Sequence, residues 1–134
     1  MIKKINKKII CLLTVIIMLL LSSCSSYKAI MLSQNVTKNG YDISFNSLEG
    51  RIEKKMYKAS SDTDISFCAN LYEGEINVYY KTPLNEERVF MFNIKAGEEV
   101  KGSTGYVTSG HKATIIIETV SEAKGKFSFY YTNK

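Results

Sequence analysis

The 134-residue chain has no tryptophan, one histidine, one proline and three cysteines. Each scarcity closes a route. With Cys11 and Cys24 taken up by the N-terminal segment described below, the one histidine and one remaining thiol cannot assemble a structural zinc site, which draws on four Cys or His ligands. A Ser–His–Asp or Cys–His centre has only His111 to work with, and His111 follows a turn glycine with no G-x-S-x-G elbow and no partner at motif spacing. The absence of tryptophan removes the side chain that offers the largest stacking surface. The chain also lacks a strong charge of one sign. Its formal +5 includes Lys3, Lys4, Lys7 and Lys8; without them, fourteen basic residues face thirteen acids. Such a balance gives no basic field for nucleic acid.

Those four lysines precede a continuous apolar run from Ile9 to Leu21, broken only by Thr14, and then Ser22-Ser23-Cys24. A spanning helix needs roughly 20 apolar residues, so this run is short for a permanent crossing and suited to export. Leu21-Ser22-Ser23-Cys24 resembles the lipobox of bacterial lipoproteins. That resemblance implies diacylglycerol on the Cys24 thiol and cleavage before it. It divides the chain into a signal peptide at 1–23, a lipid-anchored flexible tether at 24–35 and a domain at 36–134. It also places the domain on the extracytoplasmic face of the cell membrane. Cys11 then leaves with the signal and Cys24 carries lipid, so Cys68 is left without an intramolecular disulfide partner and reads as a small buried hydrophobe.

Beyond the tether the pattern has a period of two. Asn39-Gly40 is a two-residue hairpin signal, with a short strand before it and Val36 expected near Ile43. Tyr41, Ile43 and Phe45 alternate with polar residues. Arg51 to Lys58 fits either a helix turn or a strand and is assigned to strand. Ile65 to Leu71 alternates again, putting Cys68 opposite Phe67. Glu73-Gly74 reads as a turn into Ile76-Val78-Tyr80. Arg88 to Ile94 is nearly all apolar and is expected to be a central strand buried on both faces. Glu99 to Lys101 reads as a short edge strand and 102–110 as loop. Lys112 to Val120 is the strongest β segment, with Thr114 and an isoleucine triplet at 115–117. Glu122 to Gly125 reads as a turn into Phe127-Phe129-Tyr131. All eight glycines and Pro83 fall between these segments. The whole predicts an all-β chain: a small antiparallel β-sandwich of about six to eight strands after an N-terminal signal helix and flexible tether. Gly125-Lys126-Phe127-Ser128-Phe129, following a long β-branched strand, resembles the small exported sandwich domains of lipoproteins and sugar-binding or protease-appended sandwiches. No site residue is carried over from that likeness.

Few residues carry chemistry. The stretch 105–112 approaches a phosphate-binding loop, but that motif needs Lys directly after its second glycine and then Ser or Thr, where this chain has His111 and Lys112. Asp62 and Asp64 supply two oxygens, far short of the six to eight calcium takes. No catalytic residue, metal ligand or cofactor is assigned. The nine tyrosines and six phenylalanines are the fullest signal. Tyr79 and Tyr130 alternate away from Val78 and Phe129, so they are the candidate binding residues. The expectation is a non-catalytic binding or interaction module, partnered by the membrane through Cys24 and by an envelope protein, peptide or glycan. An enzyme centred near His111 and a purely structural envelope component are the alternatives.

Overall fold

The computed structural model describes residues 27–84 and 87–133; the stretch expected to be a signal peptide and the expected lipid attachment at Cys24 lie outside them. The described chain is all-β. It forms six strands: β1 (Tyr27–Val36), β2 (Gly40–Lys58), β3 (Thr63–Lys81), β4 (Val89–Lys95), β5 (Glu99–Val107) and β6 (Lys112–Asn133). All pair antiparallel in one sheet of order β1-β2-β6-β3-β4, with β5 also on β3.

Strands β2, β3 and β6 run for 19, 19 and 22 residues, and each bends midway. β6 follows β3 from Thr63↔Asn133 to Lys81↔Thr114. The other edge of β3 is shared: β5 takes residues 63–70 and β4 takes 75–80. The sheet therefore folds over on itself into a sandwich. The front layer holds β1, β5 and residues 40–48, 63–71 and 125–133. The back layer holds β4 and residues 51–58, 75–81 and 112–121. The fold line is marked by register shifts between Phe45 and Arg51 and between Leu71 and Ile76. Gly50 and Gly74 take positive φ there, at 112° and 86°. The Thr119 hydroxyl accepts the Gly50 N–H at 2.7 Å and donates to the Gly50 carbonyl at 3.2 Å. It thus satisfies backbone groups that the bend removes from the ladder.

Alternation puts the apolar face of each layer inward, and the faces meet in one core. Phe92 of the back layer stacks on Phe67 of the front layer at 4.4 Å and lies 6.2 and 6.5 Å from Phe127 and Phe129. Tyr41 is fully buried, and burial pushes its phenol well above the usual tyrosine range. At one end the Tyr131 hydroxyl ties the layers together, donating to the Tyr57 carbonyl at 2.7 Å and accepting the Ala113 N–H at 3.2 Å.

The strand assigned to Arg51–Lys58 is present as the second half of β2. Several expectations need correction. The stretch expected as tether to residue 35 is largely β1, paired from Tyr27↔Gly50 to Val36↔Tyr41. Eight of its ten side chains are exposed, so an edge strand held by backbone bonds leaves no alternating apolar trace. The first turn centres on Lys38-Asn39. Thr37 and Gly40 exchange backbone hydrogen bonds at 2.8 and 3.3 Å, and no described non-glycine residue has positive φ. Glu73-Gly74 and Glu122–Gly125 are bends inside strands. β4 is an edge strand with Val89 and Phe90 exposed, and β5 extends through residues expected as loop.

Candidate functional site: the outer face of the back layer

The outward residues of the back layer fall in rows across β2, β6, β3 and β4. One row reads Glu53, Ile116, Tyr79, Phe90; the next reads Arg51, Glu118, Asn77, Asn93. Tyr79 and Phe90 meet edge to face at 5.7 Å. The Arg88 guanidinium lies 4.0 Å above the Tyr79 ring, and its Nη1 donates to Glu118 Oε2 at 2.6 Å. That hydrogen bond raises the Arg88 pKa above its ordinary value. Arg88 thus covers one face of Tyr79 and is itself held by a carboxylate. Phe90 remains 54% exposed. Ile116 also points outward, between core residues Ile115 and Ile117, yet is only 2% exposed, so this face has a covered apolar floor.

Beside the rings the polar row is also fixed. Asn93 Nδ2 donates to Asn77 Oδ1 at 2.8 Å and to Glu75 Oε2 at 3.0 Å. Amide, carboxylate and guanidinium groups held at the edge of an exposed ring form a surface that stacks an apolar face and hydrogen-bonds hydroxyl groups around it. Among the described residues of this face, none of these groups forms a nucleophile–base pair.

Tyr79 belongs to this face, as its alternation predicts. Tyr130 points outward too and is 46% exposed, but on the front layer, in register between Gly40 and Ser66. The two candidate tyrosines therefore do not form one site. Ser128 donates to Asp42 at 2.5 Å in the row next to Tyr130. Cys68 is half-buried on that same outer face, in register with Lys101 and Ser128. Asp62 accepts the Ser109 N–H at 2.9 Å and a hydrogen bond from Tyr106, so it organises a loop. Among the described residues no three His, Cys, Asp or Glu side chains gather to hold a metal.

His111 stands at the end of the back layer. Its carbonyl accepts the Ala59 N–H at 3.0 Å, and its Nδ1 is buried with no hydrogen-bond partner among the described residues. It borders a pocket of about 460 Å³ whose other walls include Lys55, Lys58, Lys81, Lys112 and Thr114. Sequence reading missed this pocket because its lysines come from three strands. It also missed Phe90, whose apolar neighbours suggested burial.

No family model matches the chain, and no curated protein matches it. Solved structures similar to it include the family 29 carbohydrate binding module CBM29-2, at 12% identity, TM-score 0.42, and 79% of each chain covered. TmCBM61, in complex with β-1,4-galactotriose, aligns at 13% identity and TM-score 0.40 over 82% of this chain and 90% of that one. The Drosophila melanogaster CENP-C cupin domain aligns at 10% identity and TM-score 0.27 over 81% and 82%.

Proposed function

We propose that the domain is a non-catalytic binding module, held at the extracytoplasmic face of a cell membrane by lipid on Cys24, and that it engages a glycan along the outer face of the back layer. The observation that carries the binding reading is the exposed Phe90 ring, braced by Tyr79 and Arg88 beside the linked Asn77, Asn93 and Glu75. Sugar rings present an apolar C–H face and a rim of hydroxyls, and this surface offers the complement of both. Arg88 and Glu118 are already paired, so they enter a complex without first being ordered.

Affinity electrophoresis of the protein through gels containing soluble polysaccharides tests the reading. A retarding polysaccharide should be found, and Phe90→Ala should weaken its binding by about tenfold, the loss of roughly 1–1.5 kcal/mol of stacking. The melting temperature should stay close to wild type, because Phe90 is exposed on an edge strand. No retardation by any polysaccharide, or equal retardation of the variant, removes the glycan assignment.

The anchor has its own test. In the lipobox reading the lipid attaches through the Cys24 sulfur, so Cys24→Ser should move the protein from the membrane pellet to the soluble fraction. Retention of that variant in the pellet would refute the anchor.

A further inference from the structure

The pocket at the end of the back layer is a second feature, independent of the aromatic rows. We propose that the lysines converging there, Lys55 and Lys58 from β2, Lys81 from β3 and Lys112 from β6, bind a phosphate group. The register brings them together. Lys58 stands opposite Lys112, and Thr114 stands between Lys55 and Lys81. Strands lie about 4.8 Å apart, so the Lys55 and Lys81 backbones are roughly 10 Å from each other, and two lysine side chains span that gap easily.

Three observations make this more than a solvated charged surface. No acidic residue lines the pocket among the described residues, although acids and bases are nearly balanced along the chain after its first 24 residues. None of the four ammonium groups has a carboxylate within ion-pair distance among the described residues, whereas Arg51, Arg88 and Lys101 each have one. Like charges directly opposite on a sheet are destabilising, so the uncompensated Lys58–Lys112 pair is a cost that a bound anion would relieve. Finally, further polar groups border the same space. Thr82 and Thr114, each 8% exposed, line it, and His111 Nδ1 is buried and unpartnered among the described residues.

The donor set selects the anion. Four lysines bordering one pocket carry more positive charge than a singly charged carboxylate balances, and with hydroxyls and an imidazole beside them they suit the higher charge and the three or four oxygens of a phosphate. Flat, two-point recognition of a carboxylate favours arginine, and among the described residues no arginine lines this pocket. A phosphate ester in solution and a phospholipid headgroup share this chemistry.

The test is protection of lysines from an amine-acylating reagent, read residue by residue by mass spectrometry. The full chain is used, purified in an uncharged polyoxyethylene detergent or reconstituted in vesicles. Inorganic phosphate or glycerol 3-phosphate should protect Lys55, Lys58, Lys81 and Lys112 saturably, while Lys28 and Lys126 on the front layer label as before. Chloride at equal ionic strength should not protect. The double substitution Lys55→Gln and Lys81→Gln should weaken protection of Lys58 and Lys112 about tenfold with an unchanged melting temperature, and Phe90→Ala should leave it intact. Protection found only in phosphatidylglycerol vesicles, and not in phosphatidylcholine vesicles, supports the site and assigns its phosphate to a lipid headgroup. Equal protection by chloride, equal protection of Lys126, or undiminished protection in the double variant overturns the proposal.

Discussion

Gly74→Val should yield a chain that does not reach the native fold at 25 °C. Gly74 sits on the fold line between layers with φ +86°, a conformation costly for any β-branched residue. A Cβ there would lie 2.3 Å from the Glu122 carbonyl oxygen and 2.8 Å from Ala123 Cα. Both obstacles are backbone, so no rotamer relieves them. Moving either strand would disturb Glu73↔Lys124 and Glu75↔Ser121, the pairs that carry β3 and β6 around the bend together. It would also displace the Gly74 carbonyl, which accepts the Ala96 N–H at 2.9 Å and fixes the start of the connection into β5. Strain plus clash should cost about 4–5 kcal/mol or more, comparable with the entire stability of many domains this size. Gly97 is the control. It has the same φ of 86°, yet a Cβ there meets nothing within 4 Å. Gly97→Asn should therefore cost no more than about 1 kcal/mol, since asparagine tolerates this region. Thermal melts followed by circular dichroism decide the matter; a cooperative Gly74→Val transition within ~5 °C of wild type would show that the bend is not rigid.

That contrast explains what the sequence could and could not reveal. Period-two alternation identified the inward residues of β2, β3 and β6, because burial on one face imposes it directly. It did not reveal that β3 and β6 are each single strands crossing between layers. A hairpin and a fold line both call for glycine and polar residues, and Glu73-Gly74 or Glu122–Gly125 read the same in either case. The difference lies in which strand continues alongside, a long-range fact. Edge strands β1 and β5 were under-read for another reason: they are joined to the sheet chiefly by backbone bonds, and serine, threonine and glycine in β5 leave no pattern. β4 was over-read. Its continuous apolar run suggested two buried faces, whereas Val89 and Phe90 are exposed at a sheet edge. The same error hid half of the candidate site, since an exposed phenylalanine looks like core in sequence. Tyr79 was legible because its strand alternates cleanly, but its partners Arg88 and Glu118 come from other elements. The lysine pocket had no local signal, since its members meet only through strand register.

Phe92→Ala is the second large effect, and its position beside Phe90 makes it diagnostic. The two residues share β4 but serve opposite faces. Phe92 is 6% exposed and its ring reaches across the sandwich to Phe67, Phe127 and Phe129. With Ile94 it is one of only two β4 side chains in the buried core, so it also secures an edge strand that would otherwise hold by backbone bonds alone. Truncation should leave a cavity among three rings that are packed against other strands and cannot close over it. The expected cost is about 3–5 kcal/mol. For a domain of this size that lowers the melting temperature by roughly 12–25 °C. Phe92→Leu, which keeps most of the volume, should lose well under half as much. Phe90→Ala should cost less than ~1 kcal/mol, because its ring is half exposed and its one ring contact is with Tyr79. Thermal melts of the three variants separate core from platform. Polysaccharide retardation then separates them in the other direction: Phe92→Ala should bind normally below its melting temperature, while Phe90→Ala stays folded and loses affinity. Equal melting losses for Phe90→Ala and Phe92→Ala would mean that Phe90 serves the fold, and the outer face of the back layer would lose its claim as the binding surface.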